Sequence, residues 1–203
     1  GVIEIGALSK AQAELMTIIE EQSEVLSDLT MRLLTTARLE GQDLSLRIET
    51  VALAPVIDDA VSELRASYPG LRVRVSISPE DASLLCDRSL LSALLTQYLD
   101  NACKYSDFES PVTVSARQEE ESLLLSIHNF GPLIPPAECE RIFERYVRGA
   151  ATATGTPGPG IGLSIARSAA QAHGGDVWVT SHEVEGTTFW ASLPIRRNDA
   201  ADE

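Results

Sequence analysis

The chain has 203 residues, of which 44% are hydrophobic, and a formal net charge of -14. That length and apolar content support one full domain plus an appendage and exclude global disorder. The acidic balance argues against a nucleic-acid partner, whose phosphates require clustered Lys and Arg. Any nucleotide phosphate would have to be held by backbone amides, a metal and a few local cations. In chain order, residues 10–40 carry Leu15, Ile18, Ile19, Gln22, Val25, Leu26, Leu29, Leu33 and Thr36 at helical spacing, with Ser9 as a cap and Gly41 as a stop. Such a stripe needs a partner, either the domain itself or the other helices of a bundle.

From about residue 46 the pattern changes. Leu71–Ile77, Val112–Ala116, Leu123–Ile127, Val177–Ser181 and Thr187–Leu193 alternate apolar and polar residues as strands do. Helical stretches fall at about 54–67, 88–106, 136–146 and 161–173. Strands and helices mixed without strict alternation predict a mixed sheet with helices on one face. Residues 150–160 are rich in Gly, Ala, Thr and Pro and read as a mobile loop. Arg196–Glu203 reads as a polar tail. Cys86, Cys103 and Cys139 have no paired spacing, which fits reduced thiols rather than a disulfide frame or a zinc site. No apolar run reaches the length of a membrane span.

Four segments carry chemistry. Gly158-Pro-Gly160-Ile161-Gly162-Leu163 opens into an apolar helix. Free amides and the helix dipole there favour an anion, and glycine lets backbone approach a phosphate. A tight turn needing positive φ would account for the same glycines. No Lys-Ser or Lys-Thr follows, so this is not a Walker loop. Second, Gln97, Asn101, Lys104 and Tyr105 share one side of a helix. The amide oxygen of Asn101 can ligate Mg²⁺, and Lys104 can meet a phosphate. A solvated polar face near a helix end is the alternative. Third, Asn129-Phe-Gly131-Pro-Leu133-Ile134 ends a strand in a Gly-Pro turn, where a polar side chain can recognise a base edge. Fourth, Arg141-Ile-Phe143-Glu-Arg145-Tyr146-Val-Arg148 precedes the loop. Its aromatics can anchor a lid, and its arginines can reach phosphate.

Taken together, in this order and spacing, these segments resemble the catalytic domain of bacterial sensor histidine kinases, within the wider ATPase family that includes DNA gyrase B. The likeness covers about residues 10–195. It implies a two-layer α/β sandwich of the Bergerat type, preceded by a long bundle helix. Residues 1–45 would form part of a dimerisation and phosphotransfer segment, 46–196 the ATP-binding domain and 197–203 a tail. The implied ligands are ATP or ADP and Mg²⁺. Gln97, Asn101, Lys104 and Tyr105 match the asparagine box, with Asn101 as the metal ligand. Asn129, Gly131 and Ile134 match the first glycine box. Phe143 and Tyr146 match the aromatic box, and Gly158, Gly160, Ile161, Gly162 and Leu163 the second glycine box. Thr188 falls on the closing strand near the base. Asn101, Lys104 and Arg145 would stabilise charge during transfer.

The resemblance further implies a cytoplasmic location, homodimerisation through the N-terminal helix, and a response-regulator receiver domain as phosphate acceptor. His128, His173 and His182 are the chain's histidines, all within the nucleotide-binding region, so the phospho-accepting histidine is expected elsewhere. A serine kinase or a nucleotide-binding pseudokinase of the same fold are the rival readings. Three departures stand out: Gln97 for asparagine, Asn129 for aspartate and Leu133 for glycine. At 133 the turn must take an ordinary φ or carry strain.

Overall fold

Residues 53–67 place Leu53, Val56, Ile57, Ala60, Val61 and Leu64 at intervals of one, three and four, and all six are buried. This is the stripe an amphipathic helix needs to pack on a sheet. The computed structural model describes residues 46–107, 110–119, 121–147 and 160–195, with isolated positions 15, 16, 18 and 22. The helix expected over 10–40 therefore lies outside the described residues, except that Leu15, Met16, Ile18 and Gln22 are helical and exposed. Gly158, the loop at 149–158 and the tail at 197–203 also lie outside them.

The elements run β1 (Ile48–Ala52), α1 (Leu53–Ser67), β2 (Val73–Ser78), β3 (Ser83–Asp87), α2 (Arg88–Tyr105), β4 (Val112–Gln118), β5 (Ser122–Asn129), a 3-10 turn (Arg141–Phe143), α3 (Gly162–Ala172), β6 (Asp176–His182) and β7 (Gly186–Pro194). The main sheet has the order β2-β4-β5-β7-β6. β2 and β4 are parallel, and the other pairs are antiparallel. β1 and β3 form a separate antiparallel pair.

The pleat divides the main sheet into two faces. Val112, Val114, Leu123, Leu125, Ile127, Val177, Phe189, Ala191 and Leu193 point to one face and are buried with the apolar residues of the three helices. Tyr98 of α2 has no exposed surface, and its ring lies 5.5 Å from that of Phe189. Its hydroxyl donates to the Trp190 carbonyl at 2.8 Å. On the other face Trp178 stacks on Trp190 at 6.0 Å and 6°, and the Trp190 indole N–H donates to Thr180 Oγ1. This is a two-layer α/β sandwich with a mixed sheet, as expected.

Two expectations need correction. β1 and β3 were not among the predicted strands. The helix expected over 136–146 is instead a run of turns ending in the 3-10 turn at Arg141–Phe143. Hydrogen bonds of the i to i+3 type close it, from Glu138 N–H to Pro135 O and from Glu144 N–H to Arg141 O. Within it only Ile142 and Phe143 are buried. Adjacent anchors do not make the stripe at intervals of three and four that holds an α-helix on a core.

Two polar groups fix how α2 and α3 meet. The Asp87 side chain caps α2 by accepting from Ser89 N–H and Leu90 N–H. The Asp87 N–H in turn donates to Nε2 of His173 at 2.9 Å. His173 Nδ1 lies 2.8 Å from the Ala169 carbonyl, which must accept. That sets the tautomer: Nδ1 carries the proton and Nε2 is the acceptor. A buried imidazole thereby joins the end of α3 to the start of α2.

Candidate functional site

The site is built around the half-buried side of α2. Its buried residues, Leu90, Leu91, Leu94, Leu95, Tyr98, Leu99, Ala102 and Cys103, fix the helix on the sheet. Gln97, Asn101, Lys104 and Tyr105 are then left on its half-buried side. Two close approaches bring the glycine motifs to this side. The side-chain oxygen of Gln97 occupies the space where a Cβ on Gly162 would stand. The backbone carbonyl of Tyr105 occupies the corresponding space at Gly131. A bond of 2.7 Å from Asp107 N–H to the Phe130 carbonyl holds the second approach in place. Gln97, Asn101, Lys104 and Tyr105 are thus juxtaposed with the Gly131 turn and the start of α3.

α3 begins at Gly162 after Ile161, which supplies no side-chain cap. Ile161 is buried and Leu163 half-buried. Gly160 has φ +74°, a conformation suited to glycine, and its carbonyl accepts from Tyr146 N–H at 3.0 Å. Tyr146 itself has φ 63°, and among the described residues it is the one non-glycine residue at positive φ. Its side chain is exposed, as is that of Arg145. Phe143 is buried, edge-on to Phe189 with centroids 6.4 Å apart, and the Arg167 guanidinium lies 5.9 Å above its ring. Leu133, for all that it replaces a glycine, keeps an ordinary φ. It is exposed, so its side chain displaces nothing from the core.

Asn129 ends β5 and is 2% exposed. Its cross-strand partner in β7 is Thr187, which is also buried. Directly paired residues share a face of the sheet, so Thr187 stands on the side of Asn129 and the helices. Thr188, the residue expected near the base, points to the opposite face. There its hydroxyl lies 3.0 Å from His128 Nδ1. Successive strand residues alternate sides, so Thr188 and Asn129 stand on opposite faces of the sheet. Thr187 further bonds Ser181 Oγ at 2.7 Å, and Ser181 Oγ accepts from Ile134 N–H at 3.0 Å. The turn after β5 is therefore tied to β6 and, through Thr187, to β7 beside Asn129. Gly186, at φ +82°, closes the β6–β7 turn with its α-carbon packed on the Asn129 carbonyl.

The electrostatics are sparse. Lys104 Nζ is 2.8 Å from Asp100 Oδ2, and both side chains are about one-quarter to one-third exposed. The Tyr68 hydroxyl donates to Asp100 Oδ1 at 3.0 Å. Cys103, on the buried side of α2, has its thiol pushed up to about 12 by burial and by Asp100. Burial and Asp87 raise Cys86 to about 11. Neither is activated as a nucleophile, which requires a lowered value. Among the described residues no three His, Cys, Asp or Glu side chains cluster to hold a metal. Asn101 offers a hard oxygen, so an ion there would need phosphate and water oxygens as its other ligands.

One side of α2, the turn after β5 and the start of α3 thus meet in an α/β sandwich. Residues 86–197 match the model of the histidine kinase-, DNA gyrase B- and HSP90-like ATPase family. The chain belongs to that family. It is 32% identical over 168 residues to the sensor protein KdpD of Escherichia coli, covering 82% of this chain and 18% of that protein. It is 31% identical over 172 residues to the sensor-like histidine kinase SenX3 of Mycobacterium tuberculosis, covering 83% and 42%. The mycobacterial sensor histidine kinase MprB superposes with a TM-score of 0.67 at 32% identity, over 73% of this chain and 99% of that one. The chain thus spans less than half the length of KdpD and SenX3.

Proposed function

We propose that this chain is the ATP-binding catalytic part of a two-component sensor histidine kinase, which gives the γ-phosphate of Mg-ATP to a histidine for later transfer to a response-regulator aspartate. One observation carries the reading. Gln97 packs against Gly162 and the Tyr105 carbonyl against Gly131, so three separate motifs meet around one side of α2. In this reading Asn129, with Thr187 beside it, meets the adenine edge. Gly131, Ile134, Phe143 and Tyr146 frame the base. Amides from Gly160 to Leu163 meet the phosphates at the start of α3. Lys104 and Arg145 add local cations in a chain whose net charge is -14.

Mg²⁺ fits as a passenger of the nucleotide, held by Asn101 and by phosphate oxygens, and when bound it would neutralise charge developing on the transferred group. The residues themselves would do little covalent chemistry. They orient the triphosphate and stabilise charge, which is how most phosphoryl transfer is accelerated. The acceptor is placed outside the domain's three histidines. His173 uses both ring nitrogens in the core, and His128 lies on the face opposite Asn129. Domain boundaries at 46 and 196, dimerisation through the helix at 10–40 and a cytoplasmic setting belong to the same proposal. No described helix is long and apolar enough to cross a membrane.

Calorimetric titration with ATP and Mg²⁺ tests the site. Binding that is lost in Asn101→Ala is expected, and absence of binding in the unchanged chain would refute the reading. Mass spectrometry after incubation with ATP is expected to show no phosphate on His128, His173 or His182.

A further inference from the structure

Lys104 is held from outside its own site. Its ammonium meets Asp100 Oδ2 one helical turn back, at 2.8 Å. The other carboxylate oxygen, Oδ1, accepts from the Tyr68 hydroxyl at 3.0 Å. Tyr68 sits at the end of α1, where its backbone N–H closes the last turn on the Leu64 carbonyl. Both oxygens of one carboxylate are therefore committed, and the cation is located by a neighbouring helix. A bond to Asp100 uses one of the three donors of an ammonium. A lysine on a flexible four-carbon stem otherwise loses much rotamer freedom on meeting a phosphate.

We propose that Tyr68 and Asp100 are positioning residues, a relay that holds the Lys104 ammonium where the outer phosphates of a nucleoside triphosphate arrive. The inference rests on the nucleotide-site reading above and adds two residues to it. It also makes a prediction of counter-intuitive sign. Asp100 is an anion near the proposed site for anions, so relief of coulombic repulsion alone says that Asp100→Asn strengthens ATP binding. Positioning says that it weakens it.

The experiment compares ATP, in the presence of Mg²⁺, with AMP, which lacks the outer phosphates. Titrations use the whole chain and the variants Tyr68→Phe, Asp100→Asn and Lys104→Met, with Tyr68→Phe also made in the Lys104→Met background. Tyr68→Phe changes no charge and removes one oxygen. It is expected to weaken ATP by roughly threefold to tenfold and to leave AMP unchanged, since coupling within one polar network is of that order. Asp100→Asn should act in the same direction. In the Lys104→Met background Tyr68→Phe should add nothing, because the relay acts through the lysine. A merely structural role would lower the melting temperature and move ATP and AMP together. Tighter ATP binding in Asp100→Asn, or an undiminished effect of Tyr68→Phe without the lysine, would overturn the relay. If either single variant fails to fold, the other gives the sign. If the unchanged chain binds neither nucleotide, the site reading fails. If it binds ATP and Lys104→Met binds it equally well, the relay alone fails.

Discussion

The two glycines that α2 presses upon are expected to respond differently to the same change. At Gly131 an added Cβ would run into the backbone carbonyl of Tyr105 and come within 3.1 Å of its carbon. A backbone carbonyl at a helix end cannot turn aside, and the Asp107 to Phe130 bond holds the turn against it. Overpacking of this kind costs about 1–3 kcal/mol. The entropic gain of replacing glycine by alanine is about 0.4–1 kcal/mol. Gly131→Ala should therefore lose about 1–2 kcal/mol, or roughly 2–8 °C in melting temperature for a domain of this size. At Gly162 the obstacle is the far end of the Gln97 side chain, which can rotate away. Alanine is also the better helix residue by up to about 1 kcal/mol. Gly162→Ala should stay near wild-type stability, and adding Gln97→Ala should remove whatever strain remains. Urea denaturation of the four proteins decides it. A Gly131→Ala variant as stable as wild type, or a Gly162→Ala variant that is the worse of the two, would refute the geometry.

Other consequences are separately measurable. Tyr98→Phe removes a hydroxyl that meets the Trp190 carbonyl inside the core, and should cost about 1–2 kcal/mol in urea denaturation, with little change if that carbonyl finds another donor. His128 is held below its ordinary value near 6.5, chiefly by burial, with a backbone bond at Thr187 acting the other way. The unfolded chain then binds the proton more readily than the folded one, so stability should fall as pH drops through about 6.5. His128→Gln should show a shallower fall between pH 7 and pH 5, and equal slopes would count against this. Asn129→Asp should tighten ATP by about 1 kcal/mol and weaken GTP by at least as much, because a carboxylate only accepts hydrogen bonds whereas an amide can turn either end to the base. An unchanged ratio of ATP to GTP affinity would show that other groups choose the base.

Much of the fold could be read from periodicity because the central strands β4, β5 and β7 each carry a continuous buried face. Val112, Val114 and Ala116 alternate with half-buried or exposed residues, and β7 does the same from Thr187 to Leu193. β1 and β3 escaped because they pair only with each other and are five residues long. In β1 only Val51 is buried, so no alternation marks it. β3 runs straight into the Asp87 cap of α2, and its short apolar run merges with the helix that follows. The segment at 136–146 shows the converse fault. It holds residues that favour a helix, yet its buried pair is adjacent, and packing overrides propensity.

The site was legible in its residue types and less so in its directions. A helix face can be computed from spacing, and Gln97, Asn101 and Lys104 do share one side of α2. What a strand presents depends on its register with a neighbour, which spacing within one strand does not reveal. Thr187 and Thr188 are chemically identical and adjacent. Only the pairing of Asn129 with Thr187 decides which hydroxyl stands on the face of Asn129 and the helices and which one meets His128. The same reasoning explains why Tyr68 was missed. It lies 32 positions from Asp100, and nothing in the sequence links the end of one helix to the flank of another. A lysine that looked like an isolated point charge thus acquires its position from a contact only the packing of α1 on α2 creates. On the relay proposed above, removing the neutral hydroxyl of Tyr68 should therefore weaken ATP binding through the position of Lys104.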